Sequence, residues 1–552
     1  MKLRMLLAGT ALMIALGVGT GAPRGAAPGG SGPEGAEVPL GVGARALQPS
    51  TCARSFLAHD LPHAAQGRQQ PARGYDGNGS GVALGDLNED GLIDIAFANQ
   101  GGEAVVLWNQ GGLKFRKTTL DALSTRAVAA VDVNADGWLD LTFTHNLGTP
   151  SYWQNLRGRG FAPAELPGVR YRAYSMLWDD LDGDGRLELV TASYDAILEA
   201  ELRHGFLFSE GAGTVLYRPT PEGFEARRLA RNAQALGLSA FDASNDGKRD
   251  LIVGNDFDLP DMVFEQGTWE QIRPFPRTSQ HTMGFSVADI DNDGRPELFS
   301  TDMKPDFRDL KALAAWIPLM QKGYSRLTRS AVGRPENMLQ VRSSQGYRNR
   351  AYELGLDATG WSWSGKFGDL DNDGYEDLYV VNGMIDADLF GYLPGGELVE
   401  ENRVFRNRGG QRFERKPDWN LASRRSGRGM SLADLDNDGD LDIVVSNLGN
   451  PAQLFENRLC GGRSVEVELR WEGSFNTRAL GAQVLLYTDK HRLWRQVTAI
   501  SGYLSGDAPR LHFGVDPSEE VRRLEVIWPD GKRSEVVARA GTLFTLTRKE
   551  RP

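Results

Sequence analysis

The chain has 552 residues, 40% of them hydrophobic and 24% charged, which suits a globular protein large enough for more than one domain. Its net charge of −11 gives no sign of a nucleic-acid-binding surface, so we expect no nucleic acid among its partners. The 66 glycines favour many short strands joined by turns.

The N-terminal segment has the layout of a secretory signal peptide. Lys2 and Arg4 precede an apolar run from Met5 to about Val18, and small residues follow as far as Ala22. The run is short for a membrane span, although an uncleaved anchor is the alternative, and no cysteine directly follows it as a lipoprotein anchor would need. We predict a signal peptide over residues 1–22, no transmembrane span beyond it, and a secreted protein, periplasmic or extracellular.

Residues 23–75 are predicted to form a flexible linker and lead-in, because their first part is rich in Gly, Pro and Ala. The two cysteines of the chain, Cys52 and Cys460, flank the repeats that follow. In an oxidising compartment a disulfide between them would join the two ends of the repeat array. Two unpaired thiols are the alternative.

Residues 76–460 contain seven copies of a nine-residue motif: Asp, any residue, Asp/Asn/Ser, any residue, Asp, Gly, two residues, then Asp or Glu. Such an internal repeat decides the architecture of the domain. The candidate metal ligands at positions 1, 3, 5 and 9 are Asp86, Asn88, Asp90 and Asp94; Asp132, Asn134, Asp136 and Asp140; Asp180, Asp182, Asp184 and Glu188; Asp242, Ser244, Asp246 and Asp250; Asp289, Asp291, Asp293 and Glu297; Asp369, Asp371, Asp373 and Asp377; and Asp434, Asp436, Asp438 and Asp442.

These loops indicate calcium. Two carboxylates about 4 Å apart repel by about 1 kcal/mol in water and about 4 kcal/mol at an effective dielectric constant near 20, and a hard cation reverses that sign. Oxygen ligands without His or Cys favour Ca²⁺, since Mg²⁺ demands a stricter octahedron and keeps its waters. We expect up to seven structural calcium ions, bound most weakly by the Ser244 copy. Asp-Gly pairs are also plain turn formers, but that alternative does not explain seven copies with the full spacing.

The same start of the motif occurs in EF-hand loops, which we exclude. An EF-hand needs a glutamate at position 12 and a helix on each side. Position 12 is never acidic; it is Phe97, Phe143, Thr191, Val253, Ser300, Val380 and Val445. The flanking runs, such as Val82–Leu84 and Ile93–Phe97, are short, apolar and rich in β-branched residues. Each loop is therefore predicted to join two strands of a hairpin.

The spacing of the motif predicts an all-β fold, a seven-bladed β-propeller. Successive copies begin 46 to 80 residues apart, and the shorter spacings fit four strands with their turns. A linear β-solenoid is the rival, but its repeats are much shorter. Two insertions break the period, one near Tyr194–Gly211 and one over roughly Lys304–Arg334. The second includes the Ala/Leu-rich run Leu310–Trp316, a helix candidate limited by Pro318.

Residues 461–552 predict a small all-β domain. Alternation of apolar and polar residues marks strands at Ser464–Leu469, Gln483–Tyr487, Arg495–Ala499 and Arg523–Ile527, with a turn at Pro529-Asp530-Gly531.

At these motifs the chain resembles a known family. The Asp loops resemble FG-GAP/VCBS repeats, and the tail, with Ser501-Gly502-Tyr503-Leu504, Leu511-His512-Phe513-Gly514 and Trp528-Pro529-Asp530-Gly531, is similar to the ASPIC/UnbV domain. His281-Thr282-Met283-Gly284 and Val381-Asn382-Gly383-Met384 look like parts of the cartilage acidic protein family and its bacterial relatives. The resemblance implies an extracellular calcium-binding propeller used in binding or matrix association. It implies no catalytic residue.

We therefore expect a secreted, calcium-stabilised binding or scaffold protein whose partner is an extracellular protein or glycan; a surface-attached adhesin is a variant of this hypothesis. The alternative is a carbohydrate-active enzyme, a polysaccharide lyase or hydrolase that uses the propeller face or central channel, since fold alone does not decide function. The sequence has no nucleophile elbow, HExxH helix, phosphate-binding loop or CxxC pair. We interpret His281 and His512 as structural.

Overall fold

The computed structural model describes residues 37–197, 211–257, 259–324 and 333–549. The predicted signal peptide, the first part of the predicted linker and most of the predicted insertion near Tyr194–Gly211 lie outside the described residues. The described chain is dominated by β-strands, the first two being β1 (Leu40–Ala46) and β2 (Leu57–Ala64).

Four sheets, here called blades 1 to 4, follow one another along the chain. Each has four antiparallel strands, and an Asp-rich loop joins its first two strands. Their strands are β3 (Val82–Gly85), β4 (Asp94–Phe97), β5 (Glu103–Asn109) and β6 (Phe115–Leu123); β7 (Thr125–Val131), β8 (Asp140–His145), β9 (Ser151–Asn155) and β10 (Phe161–Ala164); β11 (Ser175–Asp179), β12 (Glu188–Ala192), β13 (Thr214–Thr220) and β14 (Gly223–Ala230); and β15 (Ala235–Phe241), β16 (Asp250–Asn255), β17 (Met262–Phe264) and β18 (Gln271–Ile272).

Blades 5 to 7 carry the remaining three loops, and short extra strands interrupt them. The next strands are β19 (Thr278–Ser279), β20 (Phe285–Ala288), β21 (Glu297–Ser300), β22 (Met303–Lys304), β23 (Gly333–Arg334), β24 (Met338–Ser343), β25 (Gly346–Asn349), β26 (Gly360–Gly368), β27 (Asp377–Asn382), β28 (Met384–Ile385), β29 (Glu397–Leu398), β30 (Arg403–Asn407), β31 (Phe413–Arg415), β32 (Gly427–Ala433), β33 (Asp442–Asn447) and β34 (Pro451–Glu456). Blade 5 is β20-β21-β24-β25, blade 6 is β26-β27-β30-β31 with β22 added beside β26, and blade 7 is β32-β33-β34-β2.

The blades form a ring, as the predicted propeller requires. The first strand of each blade contacts the first strand of the next, from β3 through β7, β11, β15, β20, β26 and β32 back to β3. All residues of β7 and β26 are buried, because both faces of an inner strand lie against protein. Apolar clusters fill the spaces between adjacent blades; one of them combines Val82, Ile95 and Leu107 of blade 1 with Leu435 and Leu454 of blade 7.

Strand β2 closes the ring, since it precedes blade 1 in sequence yet forms the outer strand of blade 7. It pairs with β34 in the register Leu57↔Glu456. Cys52 and Cys460 lie just outside this strand pair and form a disulfide with a Cα–Cα distance of 5.5 Å, so the predicted bridge is confirmed. Residues 40–64 belong to the segment interpreted as linker and lead-in, and the sequence analysis missed both of their strands.

The C-terminal domain consists of two four-stranded sheets. Its strands are β35 (Arg463–Glu472), β36 (Gln483–Thr488), β37 (Arg492–Gln496), β38 (Ile500–Ser501), β39 (Ser505–Gly506), β40 (Arg510–Val515), β41 (Val521–Ile527), β42 (Arg533–Val537) and β43 (Thr542–Lys549). One sheet is β1-β43-β35-β40, in which β1 pairs with the last strand, and the other is β37-β36-β41-β42. Strands β38 and β39 leave this domain and join blade 1 through the pair Ala83↔Gly506.

Helix α1 (Leu310–Tyr324) confirms the helix candidate and continues through Pro318. Tertiary packing holds it, because Trp316 is buried against Trp361 with ring centroids 5.4 Å apart and donates Nε1–H to Glu400 Oε1 at 2.9 Å. A second helix, α2, covers Ala351–Leu354, and 3-10 turns cover Gly74–Asn78, Pro394–Gly396 and Pro417–Trp419.

Candidate metal sites at the hairpin loops

All seven Asp-rich loops have the same backbone shape. Positions 4 and 6 are left-handed in every copy, with φ between 55° and 92°. The glycine at position 6 fits this conformation at no steric cost. Position 4 shows more variety; it is Glu89, Ala135, Gly183, Asn245, Asn292, Asn372 and Asn437. The seven loops therefore bend in the same way.

Backbone hydrogen bonds orient the carboxylates of positions 1 and 5 in all seven loops. The N–H of position 6 donates to the position-1 carboxylate at 2.7–3.2 Å. The N–H of position 7 donates to the position-5 carboxylate at 2.8–3.1 Å. The side-chain oxygens are therefore positioned by the fold itself.

Four loops bring three carboxylates together. In each, oxygens of positions 1, 3 and 9 lie within 4.8 Å of one another; the groups are Asp180, Asp182 and Glu188; Asp289, Asp291 and Glu297; Asp369, Asp371 and Asp377; and Asp434, Asp436 and Asp442. The position-5 aspartates are not members of these groups. In the other three loops position 3 is Asn88, Asn134 or Ser244, which has no carboxylate. An oxygen-rich, partly buried group of this kind fits a hard divalent cation.

Burial raises the pKa of several position-9 carboxyls, and the neighbouring carboxylates raise it further. Desolvation brings the pKa of Asp94 to about 8 and that of Glu188 and Glu297 to about 9. The pKa values of Asp377 and Asp442 also lie well above the ordinary range for the same reason. Without a counter-ion these groups favour the protonated form, so a bound cation would have to displace protons.

Two loops depart from the common pattern. In six loops the position-9 carboxylate accepts the N–H of position 2, but in the fourth loop Asp250 Oδ2 accepts the N–H of Ser244 at 2.7 Å. In the sixth loop Arg406 contacts Asp371 at 2.6 Å and Asp373 at 2.8 Å. That guanidinium compensates part of the negative charge of the sixth loop.

The sequence analysis missed a set of asparagines that link neighbouring blades. Asn155 Nδ2 donates to Leu139 O in its own blade at 2.8 Å and to Leu87 O in blade 1 at 2.7 Å, while its N–H donates to Asp140 Oδ1 at 2.7 Å. Equivalent bonds are made by Asn109, Asn407 and Asn457. The signal visible in the sequence is Asn407-Arg408-Gly409, but this pattern indicates only a turn.

A segment of the C-terminal domain, the channel loop (Ile500–Gly506), enters the centre of the ring and occupies part of it. Gly502 N–H donates to Phe285 O at 2.6 Å, and Leu504 O accepts Val128 N–H at 3.2 Å. Tyr503 is fully buried, and its hydroxyl lies 3.0 Å from both Tyr174 Oη and Asn78 O. The loop thus contacts inner strands from opposite sides of the ring.

The C-terminal domain also covers several of the Asp-rich loops. Thr477 Oγ1 donates to Asp132 Oδ2 at 2.5 Å, and Asn476 Nδ2 donates to Asp180 Oδ2 at 3.1 Å.

His512 is buried with Nε2 3.0 Å from Gly439 O, and burial lowers its pKa to about 4. His281 Nδ1 lies 2.6 Å from Asp256 Oδ1. Both histidines thus have structural partners.

Comparison with protein families agrees with this architecture. The FG-GAP-like repeat model matches residues 86–143, 132–191, 242–300 and 386–445, and the ASPIC and UnbV model matches residues 473–550. The chain is a β-propeller protein with FG-GAP-like repeats and a C-terminal ASPIC and UnbV domain, which confirms the resemblance and the fold class.

Among curated proteins, the chain is similar to cartilage acidic protein 1. The match is 36% identical over 117 residues in Xenopus tropicalis and 35% identical over 124 residues in Homo sapiens, which is 20% and 22% of this chain. It covers 18% of the length of either relative.

Among solved structures, BBS1N in complex with ARL6DN aligns with a TM-score of 0.42, 8% identity, and coverage of 74% of this chain and 98% of that chain. The WD40 β-propeller domain of Doa1 aligns with a TM-score of 0.40, 11% identity, and coverage of 74% and 97%. Within the described ranges, no helix is both long and apolar enough to cross a bilayer.

Proposed function

We propose that this protein is an exported, calcium-stabilised propeller that acts as a binding or scaffold protein for an extracellular protein or glycan. The observation that carries the proposal is the set of four loops in which three carboxylates lie within 4.8 Å of one another. Calcium would neutralise these groups and fix the hairpin bends. The residues present fit the ion, since the donor set is all oxygen and shares one backbone geometry.

Export is supported by the signal-peptide layout of the N-terminus and by the disulfide, which persists in oxidising compartments. Free calcium is also high enough there to fill sites with dissociation constants of about 10⁻⁴–10⁻³ M.

A binding role is favoured over catalysis inside the ring, because the channel loop occupies part of the channel. The central channel is one of the two places, with the propeller face, where a polysaccharide-cleaving enzyme would hold its substrate, and the chain's own loop with the buried Tyr503 occupies part of it. The similarity to cartilage acidic protein 1 agrees with a binding role but covers only a small part of that protein.

The calcium part of the proposal is tested by calorimetric titration of chelator-treated, dialysed protein with Ca²⁺ and, as a control, with Mg²⁺. We expect several Ca²⁺ ions per chain and weaker Mg²⁺ binding. No calcium binding at millimolar concentration would overturn this part of the proposal.

The ligand is sought on a glycan array and an array of extracellular matrix proteins, each probed with Ca²⁺ and with EDTA. We expect binding to either glycans or matrix proteins that is seen with Ca²⁺ and lost with EDTA. Cleavage of a polysaccharide in the same samples would instead support the enzyme.

A further inference from the structure

Glu466 of the C-terminal domain is a buried carboxylate without a hydrogen-bond partner. It lies on β35 with 1% of its surface exposed, and neither of its oxygens receives a hydrogen bond in the described part of the chain. The nearest guanidinium atom of Arg510 is 3.8 Å away, and Arg510 is engaged by Glu468 at 2.7 Å and Asn437 Oδ1 at 2.9 Å. A buried carboxylate left in this state is strongly unfavourable unless a cation or a proton balances it.

The Glu466 carboxyl faces the Asp434 loop of blade 7. It lies close to the Asp434 carboxyl, whose own oxygens accept the N–H groups of Asp438 and Gly439 at 3.1 and 2.7 Å. The strand pair β35–β40 holds it there, because His512, the cross-strand neighbour of Glu466, contacts Gly439 O at 3.0 Å.

The contact differs in kind from those at the other covered loops. At the second and third loops the C-terminal domain presents hydrogen-bond donors, Thr477 and Asn476, to the position-1 aspartates. Such contacts are favourable with or without a metal ion. At the seventh loop a carboxylate faces a carboxylate, and like charges at this distance repel in a low-dielectric site.

We propose that Glu466 is a further ligand of the cation in the Asp434 loop, so that this one ion joins the C-terminal domain to the propeller. Glu466 would add a fourth carboxylate to Asp434, Asp436 and Asp442, whose oxygens already lie within 4.8 Å of one another; Glu466, like the position-5 residue Asp438, is not itself a member of that group. Calcium takes six to eight oxygen ligands and accommodates such an addition. This inference rests on the proposed calcium binding of the loops.

The test compares the full-length wild type with Glu466→Gln, an isosteric change, and with the matched control Glu472→Gln, an exposed glutamate on the same strand. Calcium stoichiometry and affinity are measured by native mass spectrometry and calorimetry. We expect Glu466→Gln to weaken one site at least tenfold and leave the others unchanged, and Glu472→Gln to match the wild type. Glu466→Asp, which keeps the charge but shortens the side chain, should weaken the same site less.

Asp434→Asn assigns the affected site. The double variant Asp434→Asn/Glu466→Gln should lose no more calcium than Asp434→Asn alone, because both residues serve one ion. An unchanged affinity in Glu466→Gln would overturn the inference and identify Glu466 as a protonated acid that donates to Asp434. Loss of an additional ion in the double variant would also overturn it. A wild type that binds no calcium would instead reject the proposed function itself.

Discussion

Asn155 shows how a single side chain can link two blades. Its amide joins backbone carbonyls of blades 1 and 2, and only 1% of its surface is exposed. Buried carbonyls need a hydrogen-bond donor, and the Asn155 amide donates to both Leu87 O and Leu139 O. The two amide bonds are therefore structural, and the N–H of the same residue also positions Asp140, one of the candidate metal ligands.

We expect Asn155→Ala to lower the free energy of unfolding by about 2–3 kcal/mol, because two buried carbonyls lose their donor. Urea unfolding measures the change. Gln154→Ala, at the half-buried neighbouring position, is the control and should change the value by less than about 1 kcal/mol. Equal decreases in the free energy of unfolding for the two variants would show that the side-chain hydrogen bonds of Asn155 do not stabilise the fold.

His63 predicts a pH dependence that does not involve the loops. It is 5% exposed and stacked on Phe97 at 4.4 Å, and its Nε2 has no hydrogen-bond partner among the described residues. Burial, assisted by Lys117, lowers its pKa to about 3. The folded state therefore binds fewer protons than the unfolded state below pH 6.5, and stability is lost as the pH falls through that value.

Between pH 7.5 and pH 5 we expect the free energy of unfolding of the wild type to fall by about 2 kcal/mol more than that of His63→Phe. The reason is that pH 5 lies about 1.5 units below the ordinary histidine pKa of about 6.5, and each unit corresponds to about 1.4 kcal/mol. Urea unfolding of both proteins at the two pH values measures it. If the free energy of unfolding changed equally with pH in the two proteins, this would contradict the neutral, buried state of His63.

At the scale of the element, the Asp-rich loop was the most predictable part of the molecule. Its candidate ligands, turn glycine and flanking strands all lie within about 15 residues, so the local spacing of residues is sufficient to predict the loop. The nine-residue motif does not predict the ion pairs of Arg406 with Asp371 and Asp373 of the sixth loop, because Arg406 lies on another strand.

Asp373→Ala tests whether the loops act independently. We expect loss of one calcium ion and a fall in melting temperature smaller than that caused by a chelator, because six loops remain. At free calcium 100 times the dissociation constant, one site contributes about 2.7 kcal/mol. Differential scanning calorimetry with and without EGTA measures both changes. Complete unfolding caused by this one substitution would contradict independent loops.

Strands β1 and β2 mark the limit of what the sequence predicts. Leu40 pairs with Arg548 and Leu57 with Glu456, so their partners are some 400 to 500 residues away. Strand β2 contains Pro62, and its sequence Leu-Ala-His-Asp-Leu-Pro-His-Ala shows no clear alternation of apolar and polar residues. The sequence analysis did not predict the channel loop for a similar reason. Ser-Gly-Tyr-Leu-Ser-Gly has the composition of a turn, and it is buried because distant strands of the ring surround it.

At the scale of the whole molecule, calcium removal is expected to act on every blade at once. Chelation with EGTA leaves groups such as Asp369, Asp371 and Asp377 as clusters of buried carboxyls with raised pKa values. We expect the melting temperature to fall by many degrees at pH 7.5, and added Ca²⁺, but not Na⁺ at equal ionic strength, to restore it. An unchanged melt would reject structural metal sites.

The channel loop couples the two domains into one cooperative unit. Tyr503 packs inside the ring, so the C-terminal domain cannot separate without withdrawing it and exposing the inner strands. Wild-type protein in calcium should therefore show a single calorimetric transition with equal calorimetric and van't Hoff enthalpies. Tyr503→Ala removes a large buried side chain and should cost about 3–5 kcal/mol and separate the transitions.

Tyr503→Phe is the matched control, because it keeps the ring and removes only the hydroxyl that contacts Tyr174 and Asn78. It should cost about 1 kcal/mol and leave one transition. Two transitions in the wild type would mean that the domains unfold separately and that the loop does not couple them. A single transition in Tyr503→Ala would mean that other contacts, such as those of Thr477 and Asn476 with the Asp-rich loops, are sufficient for coupling.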